Sequence, residues 1–171
     1  IHAYRFMGAR WADLDPLKRQ QRPAIPELEP AYYDLTEADM ETVFNTGTLV
    51  GPERMTLREI LHALRETYCG SIGAEYMYIS DMAQKRWIQQ RLESMRGRPQ
   101  FSAEQKKRIL ERLTAAETLE KYLHTRYVGQ KRFSLEGGET LIPAMDEIVQ
   151  RAGSHGVEEL VIGMAHRGRL N

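Results

Sequence analysis

The chain has 171 residues, enough for one domain or for one and part of another, and it is 42% hydrophobic and 28% charged, an ordinary balance for a chain that buries a core. Its 24 Lys and Arg match its 24 Asp and Glu, so no net field draws it to nucleic acid or to an anionic membrane surface, and neither partner is expected. No apolar run approaches the roughly 20 residues that span a bilayer, and no secretory pattern stands at residue 1. The single cysteine, Cys69, has no internal partner, which suits a reducing compartment. Beside a helix-ending glycine it reads as a small buried apolar residue rather than a reactive thiol.

Residues 1–35 lack sustained periodicity and hold four of the seven prolines, Pro16, Pro23, Pro26 and Pro30. Proline lacks a donor and pushes its predecessor toward extended backbone, so an extended arm is predicted. Tyr4, Phe6, Trp11, Leu14 and Leu17 make that arm apolar enough to dock on a neighbour. Residues 36–128 read as a helical region. Thr36-Glu-Ala-Asp39 resembles a helix start with acid in its first turn, and Asn45 to Pro52 reads as a loop. Thr56-Leu-Arg-Glu59 is a capping box, followed by Leu57, Ile60, Leu61, Leu64 and Tyr68 on one face and by Gly70 as a stop.

A further helix is predicted over 81–96, with Trp87, Ile88 and Leu92 inward and Gly97-Arg-Pro99 as its breaker. Ser102-Ala-Glu-Gln105 is a second capping box ahead of Ile109, Leu110 and Leu113. Thr114-Ala-Ala-Glu117 repeats the pattern, so another helix is predicted to begin there with Leu119, Tyr122 and Leu123 buried. Gln105-Lys-Lys-Arg108 reads as a solvated helix face.

From residue 129 to 171 the character changes. Lys131 to Glu136 is strand-like, Gly137-Gly138 makes a turn, 139–152 is helical, and Glu159-Leu-Val-Ile-Gly163 reads as a buried strand rich in β-branched residues. Strand, helix and strand make a βαβ unit, which implies a parallel sheet. The expected fold class is therefore α/β: a helical N-terminal region followed by the first βαβ unit of a parallel-sheet domain. In such sheets ligands sit beyond the carboxyl ends of the strands, where His166, Arg167 and Arg169 fall. The sequence stops at Asn171 with no room for a next element, which reads as truncation inside a domain.

The five histidines, His2, His62, His124, His155 and His166, show no HxxxH or HExxH spacing, and no cysteine pair joins them, so no metal site is expected in this stretch. Phosphate-loop, dinucleotide and nucleophile-elbow motifs are missing as well. Glu136-Gly-Gly-Glu139 permits close backbone approach to a ligand, though an ordinary turn is the simpler reading. His166 is open between ligand contact and structural hydrogen bonding. Arg132 and Arg167 together would clamp carboxylate or phosphate oxygens, since guanidinium forks match them bidentately; for Arg132 alone a surface ion pair is the default. Composition and spacing lead to an α/β enzyme with an anionic ligand.

Lys131-Arg-Phe-Ser-Leu-Glu-Gly-Gly-Glu139 and Gly163-Met-Ala-His-Arg-Gly-Arg-Leu-Asn171 resemble two signature segments of the 2-oxoglutarate dehydrogenase decarboxylase family, the first component of that complex. Arg5 to Leu17, Tyr32 to Glu37, Gly73 to Met77 and Lys85 to Arg91 are similar to the same family's helical region, so the resemblance runs over essentially the whole chain. It implies that 129–171 begins a thiamine-diphosphate-binding parallel-sheet domain. It also implies a homodimer that decarboxylates 2-oxoglutarate on thiamine diphosphate and Mg²⁺, then passes the succinyl group to the lipoyl group of an acyltransferase partner. Carried over by motif, His166 would contact the reacting substrate, Arg132 would receive a substrate carboxylate, and Arg167 would lie near thiamine diphosphate. Ser134 and Asn171 would give weaker, supporting contacts.

The family's Mg²⁺ and diphosphate segment is missing from these residues, as are its activating glutamate and a further pocket histidine, so this stretch alone is expected to be inactive. Two alternatives stand: the related 2-oxoadipate enzyme, and a non-catalytic helical module that docks the acyltransferase or regulates the complex. The expected compartment is a bacterial cytoplasm, or the mitochondrial matrix in a eukaryote.

Overall fold

A computed structural model describes residues 1–164 and 166–168. Two compact units divide the chain at Gln100 and Phe101, where the sequence had suggested boundaries after 35 and 128.

The first unit is built on α1 (His2–Trp11) and α2 (Leu57–Tyr68). Helix α1 corrects the expected extended arm: the prolines begin only at Pro16, and His2 to Trp11 hold neither proline nor a breaker other than Gly8. Tyr4 and Gly8 are buried, and a Cβ at Gly8 would lie 2.6 Å from the Cβ of Tyr68, so only glycine lets the two helices approach this closely. The proline-rich stretch forms two short 3₁₀ turns, Pro26–Leu28 and Pro30–Tyr33, each with proline at its start, where the missing N–H costs nothing. Ile25 and Leu28 close the core beside Tyr4, Ile60, Leu64 and Tyr68.

Thr36 and Asp39 do form a reciprocal cap, but it closes a single 3₁₀ turn, Glu37–Asp39, not a long helix. The chain then enters β1 (Val43–Asn45), which pairs antiparallel with β2 (Arg54–Thr56) in the register Val43 to Thr56, Phe44 to Met55 and Asn45 to Arg54. The predicted loop joins them, and Thr46 fastens it by donating its hydroxyl to the Pro52 carbonyl at 2.8 Å. β2 runs directly into the Thr56 cap of α2, whose capping box forms as the sequence indicated.

Helix α3 (Met82–Met95) starts on Asp81, whose carboxylate accepts the Ala83 and Gln84 N–H groups. Its inward face matches expectation in part: Ile88 and Leu92 pack against the core, but Trp87 does not. Trp87 is 55% exposed, with the Arg91 guanidinium 3.7 Å from its ring centre, while Gln89 and Glu93 are buried. Polar groups go inside here because α1 and the β1–β2 loop present Arg5 and the backbone of Thr48 and Val50 to them.

The second unit holds α4 (Ala103–Arg126) and α5 (Leu141–Ser154). Ser102 and Gln105 cap α4 as predicted, but the helix runs through Thr114 unbroken, since the Thr114 hydroxyl donates to the Leu110 carbonyl instead of capping a new start. Its inward stripe is Ile109, Leu113, Ala116, Glu120 and Leu123, and the expected inward Tyr122 is 57% exposed.

Segments 131–136 and 159–163 flank α5 as the predicted βαβ unit requires, yet neither pairs with a strand among the described residues. Only Leu135 of the first segment is buried, and Val161 in the second is 98% exposed. An apolar, β-branched run specifies a strand only when a neighbouring backbone accepts its ladder, and the described residues offer none. The observed architecture is mixed: helices with one two-stranded antiparallel sheet.

Candidate functional site

Among the described arginine–carboxylate pairs, two have both side chains mostly buried. The first lies inside unit one. Glu93 accepts from Arg5 Nε at 2.7 Å and from the Tyr68 hydroxyl at 2.7 Å on one oxygen, and from Arg5 Nη2 at 3.1 Å and the Val50 N–H at 3.0 Å on the other. Arg5 also donates to the Thr48 hydroxyl and carbonyl. Tyr68 gives its proton to Glu93, which leaves Tyr76 as the donor in the 2.9 Å contact between the two hydroxyls. Burial, then the contacts to Tyr76 and Glu93, push Tyr68 far above the ordinary tyrosine range. Every strong lone-pair direction on Glu93 is filled, so nothing is left to meet a ligand. Cys69, against the Gly8 carbonyl in the same core, is pushed up to about 11 by burial.

The second cluster lies in unit two and contains the segments that the sequence singled out. The Gly168 N–H donates to the Phe133 carbonyl at 2.8 Å, and the His166 ring centre lies 6.3 Å from that of Phe133. Residues 131–139 and 166–168 are therefore joined, as the motifs suggested. The junction has special backbone: Phe133 at φ 51° and His166 at φ 69° are both left-handed, a conformation that costs non-glycine residues on the order of 1 kcal/mol and gathers at functional sites. Gly168, at φ 73°, faces Leu135; an added Cβ would press to 3.2 Å from Leu135 Cδ1.

Arg132 sits across from α4. Its Nη1 donates to the Glu120 carbonyl oxygen at 3.2 Å, its Nη2 meets His124 Nδ1 at 2.9 Å, and the Glu120 carboxylate lies 3.8 Å away. Glu120 Oε1 accepts the Leu135 N–H at 2.9 Å. Glu120, Lys121, His124, Thr125, Arg132 and Glu136 line an open hollow of about 410 Å³. His166 and Arg167 are exposed and do not line it; Ser134 is half-buried next to Arg132, and Asn171 lies outside the described residues. Glu136 to Glu139 forms a turn into α5, with Gly138 N–H on the Leu135 carbonyl and Gly137 N–H on Glu139 Oε1; Glu139's own backbone N–H, and then that of Gly137, hold the Glu139 carboxyl below its usual range.

Sequence reasoning missed Glu120 and His124. The signal was present: Glu120 interrupts the apolar stripe of α4 at the spacing of Leu113, Ala116 and Leu123, and a carboxylate there demands a partner.

The cations of this cluster suit contact with anionic groups. Among the described residues no group of three or more His, Cys, Asp or Glu has the arrangement to hold a metal ion, and none supplies a carboxylate set for Mg²⁺. Among them, too, no helix is long and apolar enough to cross a membrane.

The whole chain aligns with curated bacterial proteins. It is 66% identical to the 2-oxoglutarate dehydrogenase E1 component of Cupriavidus necator over 172 residues, covering 100% of this chain and 18% of that protein. It is 59% identical to the E1 component of Azotobacter vinelandii, again over 18% of that protein, and 48% identical to that of Brucella anthropi over 17%. No family model matches the chain. Along its whole length the chain is similar to the N-terminal portion of 2-oxoglutarate dehydrogenase E1 components, and it spans less than a fifth of their length.

Proposed function

We propose that this chain is part of an E1 enzyme that decarboxylates 2-oxoglutarate and transfers the succinyl group to a lipoyl-bearing acyltransferase. In this reading 129–171 opens the α/β thiamine-diphosphate domain, after a helical region. The assembled enzyme is a homodimer in a bacterial cytoplasm, with neither nucleic acid nor membrane as a partner. Thiamine diphosphate, with Mg²⁺ held by residues beyond Asn171, supplies the carbanion chemistry. The chain's own residues bind and orient. Arg132 receives a substrate carboxylate, His166 donates a hydrogen bond or proton at the reacting oxygen, and Arg167 meets an anionic oxygen of the cofactor. Ser134 and Asn171 support them.

The observation that carries this reading is the Gly168 to Phe133 hydrogen bond, which joins the histidine segment to the arginine segment. Selection of 2-oxoglutarate follows from charge: a site that pairs a second carboxylate rejects a substrate lacking it, because its own cation is then left unpaired. The test is CO₂ release by the full-length enzyme supplied with thiamine diphosphate and Mg²⁺, comparing 2-oxoglutarate with 2-oxoadipate. The expected result is preference for 2-oxoglutarate, no turnover by the 171-residue chain alone, and a fall of about 10²–10⁴-fold in kcat for His166→Ala. Preference for 2-oxoadipate would reassign the substrate, and a His166→Ala enzyme with unchanged kcat would remove that residue from the chemistry.

A further inference from the structure

We propose that Glu120 and His124, one turn apart on α4, are positioning residues for Arg132 and thereby set selectivity for a dicarboxylic 2-oxo acid. This rests on the reading that Arg132 receives a substrate carboxylate. An arginine side chain has several rotamers of similar energy, and a bidentate contact needs its planar fork held in one. Two α4 residues hold it here. The Glu120 main-chain carbonyl takes one Nη1 proton, and His124 Nδ1 faces Nη2. Because arginine only donates, His124 must accept at Nδ1, which fixes its neutral ring with the proton on Nε2.

Glu120 acts a second time. Its carboxylate, 9% exposed, accepts the Leu135 N–H and so ties down the backbone three residues beyond Arg132. The left-handed turn at Phe133 lies between these two fastenings, so Arg132 is held on both sides of a strained residue. Among the described residues these contacts use two of the five guanidinium N–H donors, and Arg132 lines the hollow with the others unengaged. The arginine is thus fixed without being saturated. Lys121 and Glu136 are the other charged groups on that hollow, and neither is paired with Arg132.

The test is steady-state kinetics of the full-length enzyme with 2-oxoglutarate and with a monocarboxylic 2-oxo acid of similar length. The variants are Arg132→Ala, His124→Ala, His124→Asn, Glu120→Ala and the double variant Arg132→Ala/His124→Ala, each checked for native unfolding temperature. Arg132→Ala is expected to raise KM for 2-oxoglutarate by about 10- to 100-fold, the loss of a charge-assisted hydrogen bond. His124→Ala is expected to raise it by about 3- to 10-fold with kcat unchanged and with no effect on the monocarboxylic acid. His124→Asn, whose amide oxygen can accept in place of Nδ1, should restore most of the loss. In the Arg132→Ala background, His124→Ala should change nothing further.

His124 is exposed, so its variants keep the proposal testable even where Glu120→Ala fails to fold. A KM unchanged by Arg132→Ala would overturn the underlying reading, and the proposal with it. A large Arg132→Ala effect beside unchanged His124→Ala and Glu120→Ala, or effects of His124 and Arg132 that multiply, would overturn the positioning role alone.

Discussion

The two most buried arginine–glutamate pairs among the described residues are used in opposite ways. In unit one, Arg5 and Glu93 are 8% and 0% exposed, and every strong acceptor direction of the carboxylate is filled by Arg5, Tyr68 and the Val50 N–H. In unit two, Arg132 is 20% exposed, lies 3.8 Å from the Glu120 carboxylate, and keeps donors in reserve beside an open hollow. The first pair is a closed junction among α1, α3 and the β1–β2 loop. The second is a held but available cation. The difference shows what separates a structural ion pair from a recognition site: unspent hydrogen-bonding capacity next to space, more than the presence of charge.

The largest expected effect tests the closed pair. Glu93→Ala would strand the Arg5 guanidinium in the core and should cost about 3–5 kcal/mol in denaturant unfolding. A cost below ~1 kcal/mol would show that water reaches Arg5 and that the junction is not closed. Alkaline unfolding probes the same core next. Burial raises the Cys69 thiol from an unfolded value of 9.0 to about 11, so the unfolded state loses its proton first. Stability from this group is complete below about pH 9 and fades as pH rises through 11, a loss of about 2–3 kcal/mol from the two-unit shift that Cys69→Ala should largely abolish. An equally steep alkaline slope in the variant would assign the effect elsewhere.

Arg132→Ala should cost less stability, about 1–2 kcal/mol, since Glu120 keeps its bond to the Leu135 N–H. If it destabilises as much as Glu93→Ala, the two pairs are alike and the contrast fails. Smallest of all, Arg58→Ala removes largely exposed contacts to Glu37 and Glu41, and its unfolding midpoint should not move measurably.

Local signals in the sequence predicted local structure well. The boxes Thr56 to Glu59 and Ser102 to Gln105 start α2 and α4, because a cap satisfies orphan N–H groups within three residues and needs no distant partner. The apolar face of α2 is buried as its spacing indicates. The motif pair around Arg132 and His166 was also legible, and the relatives' names agree with the family that those segments suggested.

What failed depended on distant partners. Trp87 has the composition of a core residue, but α1 and the β1–β2 loop offered hydrogen-bonding groups, so Gln89 and Glu93 turned inward and Trp87 turned out. Thr114 looked like a cap until an unbroken helix gave its hydroxyl the Leu110 carbonyl. The segments 131–136 and 159–163 carry strand composition without a ladder among the described residues.

The sequence by itself determined where most helices start and stop, which residues carry charge near the glycine turn, and which family's segments the chain resembles; capping, periodicity and motif identity are written within short stretches of chain. Only the tertiary structure decided that Glu93 closes a core while Glu120 and His124 hold Arg132 open, because the burial of a charge and the donors left over depend on groups up to 88 residues away.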